Sequence, residues 1–375
     1  MMGRAVRIFI LGSLAAVSFA LPWRASAASP SPPPPTLQLV ASTDTHTWNG
    51  VAVANDGRIF VNFPSWVERT PGVAVLDAHG VPVPYPGVGW NSWSPGQPAA
   101  EHFVSVNSLY IDRGENHLWV TDPATPHFAA IVEGGPKLVE IDLATDKVVH
   151  VYHFDDHVAP HDSYLNDIRI VGRHVFVTES GTGAILVLDR DTGAIRRLLA
   201  DTPLTKADPS IVPHVDGRPL VGADGKAPRI NADQIELSAD RRTLFFMSPF
   251  GPNLYRVAVS DLLDTALSEA ELERRVRVDR HVPPVGGLVM DSHDTLYLSE
   301  IETHSIHAED PHGRTLWRLT DPRLDWPDAY SITPDGMVYL AVAQVDRLPA
   351  FHGGTDGRHP PYLLFRFHPG QAGPR

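Results

Sequence analysis

Leu109-Tyr110-Ile111-Asp112-Arg113-Gly114-Glu115-Asn116-His117-Leu118-Trp119-Val120-Thr121-Asp122 is the stretch whose reading decides the fold. An apolar strand opens behind a small polar residue, turns tightly, and returns as a second strand centred on an aromatic. The pattern recurs with Val51, Ile168, Ile235, Leu288 and Tyr330 in the place of Leu109, and Phe60, Phe176, Phe245, Tyr297 and Tyr339 in the place of Trp119. Asp56-Gly57, Asp240-Arg241 and Asp335-Gly336 fill the gap as hairpin turns. Units of paired strands recurring about every 40–70 residues indicate radial blades. The expected fold is all-β: a six-bladed β-propeller with blades of four antiparallel strands around a central channel.

Outward from this pair, each unit continues into a third strand ending in an acid and a turn. Leu138-Val139-Glu140-Ile141-Asp142 leads to an outer strand Val148 to His153, and Ile185-Leu186-Val187-Leu188-Asp189 to Ile195–Leu199. The last unit ends with Tyr362 to Phe367, and Leu37 to Val40 is expected to pair with it, closing the ring and removing a free sheet edge. Second-strand aromatics are read as packing between blades.

Three inserts interrupt the repeat. Pro82 to Pro98, with Trp90 and Trp93, reads as an ordered loop over one face; the stretch 202–229, rich in Pro and Gly, reads as a lid, a binding loop or a disordered segment. Ser260 to Arg275 is the one good helix, with Ser260 as cap and a capping-box spacing from Ser268 to Glu271, placed on the surface between blades.

Residues 1–27 read as a secretory leader: Arg4 and Arg7 precede an apolar run from Ile8 to Leu21, and Ala25-Ser26-Ala27 marks a cleavage site near Ala27. A Pro-rich linker over 28–36 precedes a propeller over 37–375. The expected location is secreted or periplasmic, with no stable membrane anchor. The chain has no cysteine, so stability rests on core burial rather than disulfides. Loss of Arg4, Arg7 and Arg24 with the leader takes the formal charge of −13 to about −16, which argues against nucleic acid as a partner. Oligomeric state is not legible. Gly-x-Ser-x-Gly, P-loop and dinucleotide signatures are not found, so a serine hydrolase, NTPase or nicotinamide enzyme is unsupported.

In a propeller the first strand of each blade begins on the face where the second ends. Residues before the strand anchors therefore converge at one channel mouth: Asn49, Asn107, Asn166, Asp167, Asp233, Gly286 and Asp328. Asp122, Glu179, Ser248 and Glu300, at the ends of second strands, are expected beside them. Oxygen ligands without sulfur suit a Ca²⁺- or Mg²⁺-type cation, for which Asn166 and Asp233 are the candidates; the same carboxylates can hold a protonated amine. Singly, such residues equally satisfy strand-entry backbone as Asx-turns. Asn49, Asn107, Asn166, Asp328, Glu179 and Glu300 are taken as ligand-binding, and Asp167 and Asp233 as catalytic if the protein is an enzyme. His150, His153, His157 and His161 have zinc-like spacing, but on a strand and loop this spacing does not align side chains. Of the loop aromatics Trp66, Trp90, Trp93 and Tyr164, some are expected to line the pocket.

The order of the units resembles the major royal jelly protein/yellow family. The resemblance is carried by Val106-Asn107-Ser108-Leu109-Tyr110-Ile111-Asp112, Pro136-Lys137-Leu138-Val139-Glu140-Ile141-Asp142, Leu165-Asn166-Asp167-Ile168, Asp233-Gln234-Ile235-Glu236 and Trp326-Pro327-Asp328-Ala329-Tyr330. It implies a propeller similar to the gluconolactonase/regucalcin type and a scattered set of functions: dopachrome conversion, binding of biogenic amines, and lipid-associated storage. The expectation is a small-molecule site for an amine, catechol/quinone or lactone, with isomerase-type activity open. The alternatives are a metal-dependent lactone hydrolase and a non-catalytic protein-interaction scaffold. The lactonase comparison implies a metal-binding Glu near Trp48 or Asn49, an Asn at Asp233 and an Asp at Gly286. Asn166-Asp167 matches the lactonase Asn-Asp pair, but the Glu and the last Asp are missing.

Overall fold

The computed structural model describes residues 33–370, together with Met1 and Gly3. The expected leader, those two residues apart, and most of the proline linker lie outside the described residues.

Six antiparallel sheets of four strands form the blades. Blade one is Gly50–Val53, Ile59–Asn62, Val73–Leu76 and Pro82–Pro84; blade two is Ser108–Asp112, His117–Asp122, Lys137–Asp142 and Lys147–His153. Blade three is Leu165–Val171, His174–Glu179, Ala184–Asp189 and Ile195–Leu198; blade four is Gln234–Leu237, Thr243–Met247, Asn253–Ala258 and Arg277–His281. Blade five is Val285–Met290, Leu296–Glu300, Ser305–Glu309 and Thr315–Thr320. Blade six is Pro327–Ile332, Val338–Val342 and Tyr362–Phe367, completed by Gln38–Thr43 from the start of the chain. The ring therefore closes as the sequence implies, and the inner strands touch in an unbroken cycle.

The hairpin between first and second strands is built alike in every blade. One residue in each takes a left-handed conformation: Gly57, Asn116, Gly172, Arg241, Asp294 and Gly336. Glycine and asparagine enter this region at low cost, which is why Asp-Gly and its substitutes mark the repeat. The aromatics then point to the next blade. Phe60 joins a core with Leu109 and Leu118 of blade two, Trp119 one with Ile168 of blade three, and Tyr339 closes the circle against Val51 and Val61. Each of the six is buried.

Two expectations are corrected. Residues 260–275 form two short helices, Val259–Leu263 and Glu269–Glu273, inserted between the third and fourth strands of blade four. The Asp264 carboxylate accepts from the Ala266 N–H at 2.8 Å and turns the chain out of the first helix, which starts directly after the strand at Ala258 without a side-chain cap. Ser268 and Glu271 do make the capping box. The stretch from Pro82 to Pro98 begins as the outer strand of blade one, and its tryptophans pack rather than cover. Trp90 lies 5.1 Å from the Phe103 ring, and Trp93 is buried beside Ala99 and Val104.

Candidate functional site: the channel

A cavity of about 1240 Å³ runs along the channel, and Asn49, Asn107, Asn166, Asp233, Gly286 and Asp328 all line it, one from each blade. The convergence expected from strand phase is therefore observed. The asparagines form a chain of bonds. Asn49 Nδ2 donates to the Asn107 carbonyl (2.8 Å), Asn107 Nδ2 to Asn166 Oδ1 (2.9 Å), and Asn166 Nδ2 to Ser180 Oγ (2.9 Å). Asn62 supports this from below, donating to Asn49 Oδ1 at 2.7 Å. It fits there because residue 50 is glycine: a Cβ would sit 1.8 Å from Asn62 Oδ1.

The opposite arc holds carboxyl groups. Asp233 and Asp328 lie deep in the molecule yet keep access to the channel. Burial pushes the Asp233 carboxyl up to about 8, reinforced by the negative charge of Asp167 and partly offset by a hydrogen bond from Asn166. Burial likewise raises Asp328 well above the usual range, with Asp233 adding to it and Asn49 opposing it. Between them blade five contributes only Gly286 and Gly287, and this absence of side chains is structural. A Cβ on Gly287 would lie 1.6 Å from the Asp328 carbonyl oxygen and one on Gly286 2.5 Å from that of Pro327, so the glycines let two inner strands approach.

Asp167 lines the cavity, but both of its oxygens are engaged. One accepts from the Ile168 N–H, and the other pairs with Arg169 at 2.9 Å. Arg169 also forks onto Glu236 (2.9 and 3.1 Å) and lies over the Tyr110 ring. This clasp ties blades two, three and four together, and it leaves Asp233 as the better placed of the two expected proton-transfer groups.

Glu179 and Glu300, expected as ligand groups, do not line the cavity. Fully buried Glu179 accepts from the N–H groups of Tyr164, Gly181 and Thr182 and pairs with Arg197 at 2.6 Å. Glu300 pairs with His307 and Arg318, each at 2.7 Å. Asp122 is held in the same way by Lys137 at 2.8 Å. These acids anchor loops, and their partners on third and fourth strands draw the side chains between strands instead of into the channel.

Above the ring stands an aromatic vestibule. Trp66 stacks on Phe128 (5.7 Å, 15°), which contacts Tyr164 (6.1 Å) and Phe351 (6.4 Å), and Phe351 meets Trp326 at 6.0 Å. All five line the cavity. Tyr164 joins the two layers: its hydroxyl accepts from Trp66 Nε1 (3.0 Å) and donates to Asn107 Oδ1 (2.8 Å). Phe128, Trp326 and Phe351 escape the sequence reading. Their one shared signal is an aromatic on a connection at the ring's own face, as in Trp326 directly before the last inner strand.

Residues 202–229 do lie at this face. They carry a helical turn, Pro203–Thr205, and a hairpin, His214–Val215 with Arg218–Pro219. Val215 and Leu220 pack with Phe250, Trp326 and Phe351, and Pro228 to Ile230 reach the cavity.

The ring is an imperfect cation cage. The side-chain oxygens of Asn49, Asn107 and Asn166 already accept from Asn62, Tyr164 and Asn107, so the carboxyls of Asp233 and Asp328 are the main oxygen donors offered. Among the described residues one other cluster has metal-like composition, Glu115, His117 and Glu140. Arg190 occupies it, bonding Glu115 at 2.6 Å and Glu140 at 2.7 Å, and so supplies the positive charge itself. The four spaced histidines make no such group; His161 pairs with Asp162 at the cavity rim.

Fold and channel together define a six-bladed propeller with a cavity along its axis. A family model described as "Major royal jelly protein" matches residues 104–320, more than half of the chain. The chain belongs to the major royal jelly protein family. Among solved structures it is similar to the calcium-binding protein regucalcin from Agrobacterium tumefaciens: 15% identity, 88% of this chain and 93% of that one, TM-score 0.52. A virginiamycin B lyase from Staphylococcus aureus, solved with quinupristin, is 14% identical over 89% of this chain and 99% of its own, TM-score 0.51. A structural-genomics target named for gluconolactonase is 10% identical over 90% and 92%, TM-score 0.53. At these identities the likeness is one of fold. No curated protein matches the chain.

Proposed function

We propose that this chain is an exported small-molecule-binding propeller whose ligand is an aromatic or apolar molecule carrying a protonated amine. One observation carries the reading: the five-aromatic vestibule opens onto Asp233 and Asp328 within one continuous cavity. Aromatic faces attract cations as well as apolar bodies, and two carboxyls out of bulk water supply the charge that an ammonium needs. The leader-like N-terminus supports export, and the acidic balance supports a cationic ligand over nucleic acid. A divalent ion at Asp233 and Asp328 is the competing occupant; regucalcin, a neighbour in fold, is described as calcium-binding.

The test is a thermal-shift screen of arylalkylamines, catechols, lactones and divalent ions on the mature protein and on Asp233→Asn/Asp328→Asn. Ligand at about 100 times its dissociation constant contributes about 2.7 kcal/mol, hence a rise of about 4 °C for a domain of this size. The rise should appear with an amine and vanish in the double variant. A response to lactones or divalent ions alone would replace this reading with the hydrolase one. A channel that responds to nothing would favour the protein-interaction scaffold.

A further inference from the structure

The cap over the vestibule is made of two segments, residues 202–229 and the blade-six connection that follows Val342. They are joined backbone to backbone: Val221 N–H donates to the Phe351 carbonyl (3.1 Å) and Gly353 N–H to that of Val221 (2.8 Å). Where this cap meets the blades, Asp325 and Asp346 are both buried to within 5% exposure and lie within hydrogen-bonding reach of each other. Each has one oxygen, Oδ1, buried and without a donor. Arg347 Nε is bound to Asp325 Oδ2, and the same guanidinium reaches Asp216 of the capping hairpin at 3.5 Å. Asp216 in turn accepts from His304 Nε2 at 3.0 Å, while His304 Nδ1 faces the Leu324 carbonyl at 3.1 Å. Arg218 is the other charge near Asp216, and Glu302 accepts from the His214 N–H at 2.7 Å.

Two neighbouring buried carboxyls, each with an oxygen that no donor meets, cannot both stay ionised, because each is an acceptor and neither brings a hydrogen. One counter-charge, Arg347, serves both carboxyls, and its bond to Asp325 leaves one negative charge in excess. A shared proton removes that excess and turns the repulsive contact into a hydrogen bond.

We propose that Asp346 and Asp325 share a proton that clasps the cap shut, so that the cap over the channel loosens as pH rises. Burial first, then the charge of Asp325, pushes Asp346 up to about 8, with Arg347 opposing. His304 acts in the same sense: burial disfavours its charge, but the bonds to Asp216 and the Leu324 carbonyl outweigh this and raise its pKa above the usual value. Each group is more basic with the cap closed than with it open, so its contribution is complete below the open-state pKa and is lost as pH rises to the closed-state pKa. The Asp346 window runs from about pH 4 to pH 8, and the His304 window begins near about pH 6.5. The clasp stands whatever the ligand is; only its consequence, faster exchange of a bound molecule at higher pH, rests on the channel being a ligand site.

Hydrogen exchange on the mature protein tests this, with rates corrected for the intrinsic effect of pH. Protection in peptides covering 213–221 and 346–353 should fall about tenfold per pH unit between about pH 5 and pH 7.5 and level off above about pH 8. A control peptide in the blade-two strand His117–Asp122 should not follow that curve. In Asp346→Asn the amide donates to Asp325 at every pH, and the cap peptides should lose most of the slope. Flat protection in the wild-type protein, or an equal slope in Asp346→Asn, would overturn the proposal. So would cap protection that depends on added Ca²⁺ instead of on pH, since the pair would then hold a cation.

Discussion

Asp233 and Glu179 are both acids next to the channel face, and the fold treats them in opposite ways. Asp233 is raised to about 8 by burial, so its contribution to stability is complete below the ordinary Asp value and declines as pH climbs toward that figure. Asp233→Asn replaces a group that must be protonated in place. It should therefore raise stability by about 1–2 kcal/mol near neutral pH, with the gap over the wild type widening between about pH 4 and pH 8; urea unfolding across that range measures it. Burial alone would raise Glu179 as well, but the Thr182 hydroxyl, the Tyr164 N–H and Arg197 outweigh it and hold the group low. Its contribution is present above the ordinary Glu value and is lost in acid. Glu179→Ala strands Arg197 and several N–H groups, and should cost about 3–5 kcal/mol in the same assay. From sequence the two looked alike. Strand phase placed both near one face, whereas the cation that claims Glu179 comes from a fourth strand, a partnership that spacing along the chain does not reveal.

Among the elements, inner strands and hairpins were the most legible. A period-two pattern with a turn residue that tolerates left-handed backbone needs only local information, and all six hairpins carry that residue. Helical content was misjudged because Asp264 bonds its own neighbours and breaks the run, a competition that helical spacing cannot display. Gly286 read as a missing ligand position, and the structure shows why no side chain stands there or at Gly287. Gly287→Ala should force the inner strands of blades five and six apart and cost about 2–3 kcal/mol, seen as a lower urea midpoint. If the substitution is silent, the close approach of the Asp328 backbone to Gly287 does not set the spacing of these two strands.

For the whole molecule, six interfaces of apolar side chains fix the ring, and the ring fixes the polar arc of Asn49, Asn107 and Asn166 against the carboxyl arc of Asp233 and Asp328. That arc was readable because every blade contributes the same strand position. The vestibule was not, since Phe128 and Phe351 sit on connections whose paths follow from packing between distant segments, not from the repeat. The central claim is that the channel holds an organic cation between its aromatics and these two carboxyls. It is tested most directly by titration calorimetry of an arylalkylamine in buffers of different ionisation heat. Because at least one carboxyl is protonated before binding, the account predicts release of about one proton per ligand near about pH 7, and none in Asp233→Asn/Asp328→Asn. Binding without proton release, or binding that survives the double substitution, would contradict it.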